Sequence, residues 1–331
     1  MTRVLSFPPP HREGNPVIVS TYRDLAVTCL HLEADSLPAL WRLRDSFDVA
    51  AFHWGYDRNG WLQGIGIVLG VWLLRKRIVW HVHEVDLSCR GSSQERFRLG
   101  ETLNFILYKL ADGVVYYTRD ARRRIVDKWG YTRAQEVVAV HPPTRFAVRE
   151  SERAELRIRH GFPVDAYIYG IFGAVRPYKG IPELLDSYSE VRDEHTALVV
   201  AGHFDPDEPM PREILEKMLR ACGPDVSYRL DGIRDQSIPI VMAILDAVVL
   251  PYRTAETSGV FYLAAEFGKP VVAPDRGFWH EVVNADAGVL YTNLTDGMRQ
   301  VRQRRFQPAY PEEAYRNSLL PLKLLYGGDR A

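Results

Sequence analysis

The stretch Thr257-Ser258-Gly259-Val260-Phe261-Tyr262-Leu263-Ala264-Ala265-Glu266-Phe267-Gly268-Lys269-Pro270 has the residue types and spacing for one defined piece of chemistry. Small residues open directly into an apolar run. That run ends at Gly268, and Pro270 leads into Val271-Val272-Ala273-Pro274. The order predicts a loop, a short helix and a strand. The first amides of a helix have no carbonyl partners within it, and its dipole puts positive charge at the same end. Ser258, Gly259 and Val260 therefore offer a site for phosphate. Glu266 follows about two turns later, placed to accept hydrogen bonds from a ribose if the phosphate belongs to a nucleotide. An ordinary helix cap with an exposed glutamate would show the same residues.

A second constellation is Phe172-Gly173-Ala174-Val175-Arg176-Pro177-Tyr178-Lys179-Gly180-Ile181-Pro182-Glu183. A strand is expected to end at Gly173 and a helix to begin near Pro182, with Glu183 in its first turn. Ligands of open α/β sheets bind just beyond the carboxyl ends of strands. Arg176 and Lys179 stand there. Arg can bond two phosphate oxygens and Lys acts as a point charge, so the pair suits a diphosphate. The alternative is a solvated basic turn.

In the first half, a strand is expected to end His81-Val82-His83-Glu84-Val85-Asp86. Alternation puts His81 and His83 on one face. His81 reads as core, and His83, nearer the carboxyl end, as a functional residue. Glu84 and Asp86 are candidate general bases for an inverting reaction, or solvated loop carboxylates. His-x-His also suits a metal, but no third ligand can be assigned. Arg12-Glu13-Gly14-Asn15-Pro16 forms a turn that the glycine itself would explain.

The elements that must position these residues alternate between apolar strands and amphipathic helices, the pattern of parallel α/β architecture. Val17–Val19, Val49–Phe52, Ile78–His83, Gly113–Tyr117 and Val137–Val140 read as strands of a first series. Gly64–Arg77, Glu95–Leu110 and Arg119–Trp129 read as its helices. His141-Pro142-Pro143-Thr144 closes that series, and a charged helical segment, Ser151–His160, follows it. Strands at Tyr167–Gly173, Ala197–Ala201, Val226–Leu230, Ala247–Leu250 and Pro270–Ala273 make a second series. The expected fold is two Rossmann-like α/β domains facing across a cleft, residues 1–150 and 151–305. A C-terminal helix, 311–325, is expected to return to the first.

The second half resembles the donor-binding domain of GT-B glycosyltransferases, above all the family 4 enzymes (glycosyl transferases group 1). Arg176-x-x-Lys179-Gly180 resembles their diphosphate clamp. Pro251–Val283 resembles their block of a proline-ended strand, a glycine-containing loop, a helix with Glu, then Gly-Lys-Pro-Val-Val-Ala and Glu-Val-Val. Asp231-Gly232-Ile233 matches the step where such enzymes hold the base edge. The likeness covers residue 170 to about 290, and the first half by pattern only. It implies a nucleoside-diphosphate-sugar donor as substrate with no metal and no cofactor, Glu266 on ribose, His83 near the donor sugar, and the loop with Gly14 and Asn15 at the diphosphate or acceptor. Two positions depart from the family's pattern. Ser258 stands where its first glutamate is usual, and Ala174 where its arginine is. Retention and inversion are both left open by these changes.

The remaining composition agrees. In 331 residues, the 42 basic side chains equal the 42 acidic ones, so no broad footprint for nucleic acid exists. Cys29, Cys89 and Cys222 are far apart and suggest neither disulfides nor a metal site. The first ten residues lack an apolar core of signal-peptide length, and a cytoplasmic enzyme is expected. Arg75-Lys76-Arg77 and Arg122-Arg123-Arg124, with Trp61, Trp72, Leu73 and Leu74, suggest contact with an anionic membrane surface, or exposed helix charge. The expected activity is transfer of a sugar to a hydroxyl acceptor, saccharide or lipid-linked, in polysaccharide or glycoconjugate assembly. The alternatives are an epimerase or hydrolase of nucleotide sugars, or a non-catalytic subunit that binds them.

Overall fold

A computed structural model describes residues 2–7, 16–25, 27–30, 34, 36–53, 61–83, 85, 94–147, 149–205, 210–254 and 257–327; of residues 16, 17, 29, 61 and 94–99 it describes the backbone alone. The described residues fall into two compact units, 2–144 with 311–327, and 145–310. The boundaries are therefore 144/145 and 310/311, where the sequence suggested 150 and 305.

The first unit contains β1 (Arg3–Phe7), α1 (Pro16–Leu25), β2 (Thr28–Leu30), α2 (Leu37–Leu43), β3 (Val49–Phe52), α3 (Trp61–Leu73) and β4 (Arg77–Val82). It continues with α4 (Gln94–Leu110), β5 (Gly113–Tyr116), α5 (Arg119–Trp129) and β6 (Gln135–Val138). Its six strands are parallel in the order β2-β1-β3-β4-β5-β6. Strand alternation sends Leu5, Ala50, Ile78 and Val114 to one face and Val4, Val49, Val79 and Val115 to the other. The first face is covered by α2 to α5 through Leu40, Ile67, Val68, Val71, Leu103, Leu107 and Ile125.

Two expectations fail here. Val17–Val19 is not a strand but lies in α1, and the first strand is Arg3–Phe7 instead. The reason is period. Ile18, Tyr22 and Leu25 recur at helical spacing and are buried, whereas Val19 is exposed. The helix expected over 64–77 is α3, which starts at Trp61 and ends at Leu73; Arg77 already begins β4.

The second unit holds α6 (Arg153–Arg159), β7 (Tyr167–Phe172), α7 (Ile181–Val191), β8 (Thr196–Ala201), α8 (Arg212–Cys222), β9 (Val226–Arg229) and α9 (Ile238–Ile244). Then come β10 (Ala247–Val249), α10 (Gly259–Glu266), β11 (Val271–Pro274), α11 (Trp279–Val282), β12 (Gly288–Tyr291) and α12 (Leu294–Gln303). The parallel order is β12-β11-β10-β7-β8-β9. Chain growth thus runs outward from β7 to β9 and then resumes on β7's other side. The loops after β7 and β10 part at that reversal, which is where open sheets form a ligand crevice.

The last helix, α13 (Glu312–Leu325), packs in the first unit, on the face opposite α2 to α5. Leu322, Leu325 and Tyr326 join Ile18, Tyr22 and Leu25 there. Tyr315 donates to Asp24 at 2.8 Å. Tyr326 Oη lies 2.6 Å from Nε2 of His81, and both residues are fully buried. Tyr326→Phe leaves that nitrogen without this partner, and a buried polar atom so orphaned costs ~1–3 kcal/mol. Urea denaturation is expected to show a loss of that size; stability unchanged within ~0.5 kcal/mol would refute the anchoring role.

Candidate functional site

Of the residues named from sequence, the structure brings the loop after β7 and the start of α10 together. Gly173 leaves β7 with φ 102°, a conformation that favours glycine. A Cβ on Gly173 would lie 2.8 Å from Lys179 Nζ and 3.6 Å from Val260 Cγ2. Pro177–Lys179 forms a single 3₁₀ turn, and Gly180 (φ 64°, ψ 38°) reverses the chain into α7. A Cβ on Gly180 would meet the Pro251 carbonyl oxygen at 2.2 Å, so this loop can close against the end of β10 only with glycine.

Lys179 is 5% exposed. Its Nζ donates to the Phe172 carbonyl at 3.2 Å and lies 5.0 Å from the centre of the Tyr252 ring. Among the described residues no carboxylate pairs with it. Burial pulls its ammonium down to about 7, and the nearby Arg176 charge pushes the same way. Arg176 is held by Asp205, Nε to Oδ2 at 2.8 Å. Asp205 follows β8, the neighbour of β7, so two adjacent strand ends supply the cation and the carboxylate that orients it.

Ser258 caps α10. Its hydroxyl accepts from the Phe261 amide at 3.3 Å, and it is 5% exposed. Gly259 and Val260 occupy the first turn, where the helix supplies no carbonyl. Nearby, Thr257 Oγ1 and Tyr252 Oη are buried and find no hydrogen-bond partner among the described residues. Such atoms are uncommon in a finished interior. Burial drives the Tyr252 phenol far above its ordinary range, opposed by the Ser258 hydroxyl beside it. Thr257 and Tyr252 thus present hydroxyls without partners among the described residues, beside a Lys179 ammonium whose only hydrogen bond there is to the Phe172 carbonyl.

Glu266 closes α10. Its Oε2 accepts from the Arg145 amide at 2.9 Å, and Arg145 sits at φ 59°. Gly268 (φ 62°) then ends the helix, with Gly268 N donating to Ala265 O at 3.1 Å and Lys269 N to Ala264 O at 2.9 Å. Gly232 (φ 88°) and Ile233 follow the edge strand β9. Gly232 N donates to Gly202 O at 2.8 Å, and Asp231 pairs with Arg212. They sit at the far edge of the same sheet end, two strands from β7.

In the first unit, His81 is core: fully buried, with Nδ1 2.9 Å from Tyr117 Oη and Nε2 on Tyr326. His83 lies just beyond β4 and is 8% exposed. Its Nε2 is 3.3 Å from Nδ1 of His53, whose own Nε2 is 2.6 Å from Tyr22 Oη. His141 stacks on Tyr117 at 4.1 Å. Burial holds His53 and His81 well below the usual imidazole range, and His141 at about 3. Gly14, Asn15, Glu84 and Asp86 lie outside the described residues. Among the described residues no three of His, Cys, Asp or Glu converge to hold a metal.

Sequence reasoning gave no role at the site to Asp205, Tyr252, His53 and His141. Register would have found three of them. Parallel pairing aligns Phe52 with Trp80, which sets His53 at the same sheet end as His83. Asp205 and Tyr252 follow the strands on either side of β7.

A GDP-mannose:glycolipid 4-beta-D-mannosyltransferase of Xanthomonas campestris pv. campestris is 34% identical over 105 residues, 31% of this chain and 29% of that relative. The match thus spans less than a third of the curated relative's length. Two solved structures share the fold across nearly the whole chain. Anabaena HepE, in complex with UDP and glucose, superposes with a TM-score of 0.68 at 15% identity, covering 99% of this chain and 94% of that one. Sucrose-phosphate synthase from Thermosynechococcus elongatus gives 0.67 at 14% identity, covering 98% and 95%. The resemblance read from the Arg176–Lys179 loop and the Pro251–Val283 block therefore holds: in a chain of GT-B fold, residues 166–302 match the family described as Glycosyl transferases group 1.

Proposed function

We propose that this protein transfers a sugar from a nucleoside-diphosphate sugar to a hydroxyl acceptor, with the donor held by the second unit. The observation that carries this is Lys179, a nearly buried cation with no carboxylate among the described residues, beside the first turn of α10. A diphosphate supplies the missing countercharge. Its oxygens meet Lys179, Arg176 and the amides of Gly259 and Val260. Thr257 and Tyr252 have hydroxyls to offer.

In the reaction the bond from the sugar's anomeric carbon to the β-phosphate oxygen breaks, and the acceptor oxygen bonds to that carbon. The electron pair leaves with the nucleoside diphosphate, and the acceptor's proton passes to a base. Negative charge therefore grows on the leaving group as the bond lengthens. Fixed donors aimed at such charge each contribute ~3 kcal/mol. Glu266 is assigned to the ribose, with its carboxylate exchanging the Arg145 amide for hydroxyls, and Gly232 and Ile233 to the base edge. The acceptor is assigned to the first unit, with His83 beside the reacting sugar. The match to a glycolipid mannosyltransferase supports a lipid-linked acceptor, and with it work at an anionic membrane face. No metal or cofactor takes part in this scheme.

Transfer assays with purified donor and acceptor sugars test the scheme. Lys179→Ala and Arg176→Ala are expected to lower kcat/KM by ~100-fold or more each. Intact transfer in both variants would remove the diphosphate assignment. Rapid release of free or epimerised sugar from donor alone would favour a hydrolase or epimerase.

Lys179 also gives a signed dependence on pH. Its folded pKa, about 7, lies below the ordinary 10.5. The unfolded chain therefore binds the proton more tightly. The penalty of burying this lysine is full below pH 7 and fades as pH rises towards 10.5. Lys179→Met is expected to gain ~2–4 kcal/mol of stability near pH 6.5, with the gain shrinking by pH 10. Thermal melts across that range read it, and a destabilised variant at pH 6.5 would contradict it. Diphosphate binding should conversely take up about one proton at pH 8, measurable by calorimetry in buffers of different ionisation heat.

A further inference from the structure

Helix α3, Trp-Leu-Gln-Gly-Ile-Gly-Ile-Val-Leu-Gly-Val-Trp-Leu, contains no charged residue. One side of it is core, where Ile67, Val68 and Val71 are fully buried. On the other side Leu62 is 75% exposed, Leu69 39%, Trp72 51% and Leu73 71%. At about 100° per residue these four fall within an arc of about 100°, the width that a helix normally gives to its core. The helix therefore has two apolar faces and only one is covered within the unit.

Its neighbour extends the surface. A Cβ on Gly70 would lie 2.8 Å from Leu40 Cδ2 and 2.9 Å from Leu37 Cδ2, so α2 and α3 are in close contact along Gly66 and Gly70. Leu37 and Trp41 on α2 are 51% and 60% exposed. The result is a two-helix apolar ridge carrying two tryptophans, far beyond the scattered apolar residues of an ordinary surface.

Cations edge the ridge. Arg75, Lys76 and Arg77 follow α3 directly, and Arg42 lies on α2 beside Trp41. Among the described residues none of these four pairs with a carboxylate. Trp72, Leu73, Arg75, Lys76, Arg77 and Leu324 line part of an open cleft of about 1060 Å³. The other basic run differs: Arg122 pairs with Glu136 and Arg123 with Asp120, so that run adds little free charge. No helix among the described residues is long and apolar enough to cross a bilayer. Lys76 donates to the Phe47 carbonyl and Arg77 to Gln135, which leaves their charge unneutralised among the described residues. An apolar ridge with aromatic side chains and such a cationic edge is complementary to one surface, the boundary between headgroups and acyl chains of an anionic leaflet.

We infer that the α2–α3 ridge seats the protein on an anionic membrane surface, with Leu62, Leu69, Trp72, Leu73, Leu37 and Trp41 in the interface and Arg42, Arg75, Lys76 and Arg77 on lipid phosphates. This deepens the lipid-linked form of the acceptor proposed above. Binding to vesicles is read without donor or acceptor, so either proposal can fail alone.

Flotation of the full chain is measured with vesicles of phosphatidylcholine, and with vesicles containing about one-third phosphatidylglycerol. The protein is expected to float with the anionic vesicles only, and to lose most of that binding at ~1 M salt. Leu69→Glu with Trp72→Glu, and separately Arg42→Glu with Arg75→Glu, are each expected to weaken binding about tenfold or more, with circular dichroism unchanged. Arg123→Glu should leave binding as it is. Quenching of tryptophan fluorescence by brominated lipid tests the wild-type chain, whether or not the variants fold. Absence of flotation and of quenching at low salt would overturn the inference. So would full binding by a folded Leu69→Glu, Trp72→Glu chain. A dimer by light scattering that this pair of substitutions dissolves would assign the ridge to a second copy instead.

Discussion

Burying a charge without a countercharge is among the costliest arrangements a protein can hold, and Lys179 is buried with no carboxylate partner among the described residues. The surrounding structure accounts for how it persists. β7 is central, and the chain leaves it first towards β9 and later towards β12. The loop after β7 must therefore pass between the ends of β8 and β10. Backbone approaches closely on both sides: a Cβ on Gly202 would sit 1.8 Å from Gly173 O, and one on Gly180 2.2 Å from Pro251 O. Glycine at these points lets the loop lie flat against its neighbours, and that closeness takes Lys179 out of water. The same topology that creates the crevice thus also loads it with a cation that no carboxylate among the described residues neutralises.

Ser258 acquires a meaning from this. A carboxylate is the family's pattern at that position, and here a neutral hydroxyl stands there, spent on the Phe261 amide. It contributes no charge to offset Lys179. The helix start keeps its cap and its positive end, so an incoming anion meets the helix dipole beside Lys179. Stability is given up locally for a site complementary to the negative charge that bond cleavage would generate.

Much of this was legible in the residues, because it rests on local signals. Thr-Ser-Gly before an apolar run, and Gly-Lys-Pro after it, specify a cap, a helix and a C-terminal glycine turn, and α10 has each of them. Arg119–Trp129 runs between the limits that its apolar spacing suggested. What was not legible depends on pairing. Arg3–Phe7 is too short to declare itself a strand without β2 and β3 on either side of it. Val17–Val19 looked extended because three β-branched residues in a row outweigh a helical period that becomes visible only with Tyr22 and Leu25. Asp205 and Tyr252 flank β7 in space while lying 26 residues or more after Lys179 in the chain, and no spacing rule joins them.

The two units differ in the charge state of the groups they bury. In the first, His81 lies between Tyr117 and Tyr326, and His53 reaches Tyr22; each imidazole is held neutral and its nitrogens find partners. Neutral, hydrogen-bonded groups cost little to bury, so this cluster is compatible with an ordinary core and with the closing helix α13. His83, at the end of the strand, is the least buried of the four imidazoles and the one through which the cluster reaches the surface. The second unit instead buries a cation: Lys179 has no carboxylate partner among the described residues, and Thr257 Oγ1 and Tyr252 Oη are buried without a hydrogen bond among them. A buried cation with no carboxylate partner among the described residues, in a unit whose other buried cations, Arg157 and Lys269, are engaged, is what a site for an anionic ligand requires and what a merely structural loop would have no reason to keep.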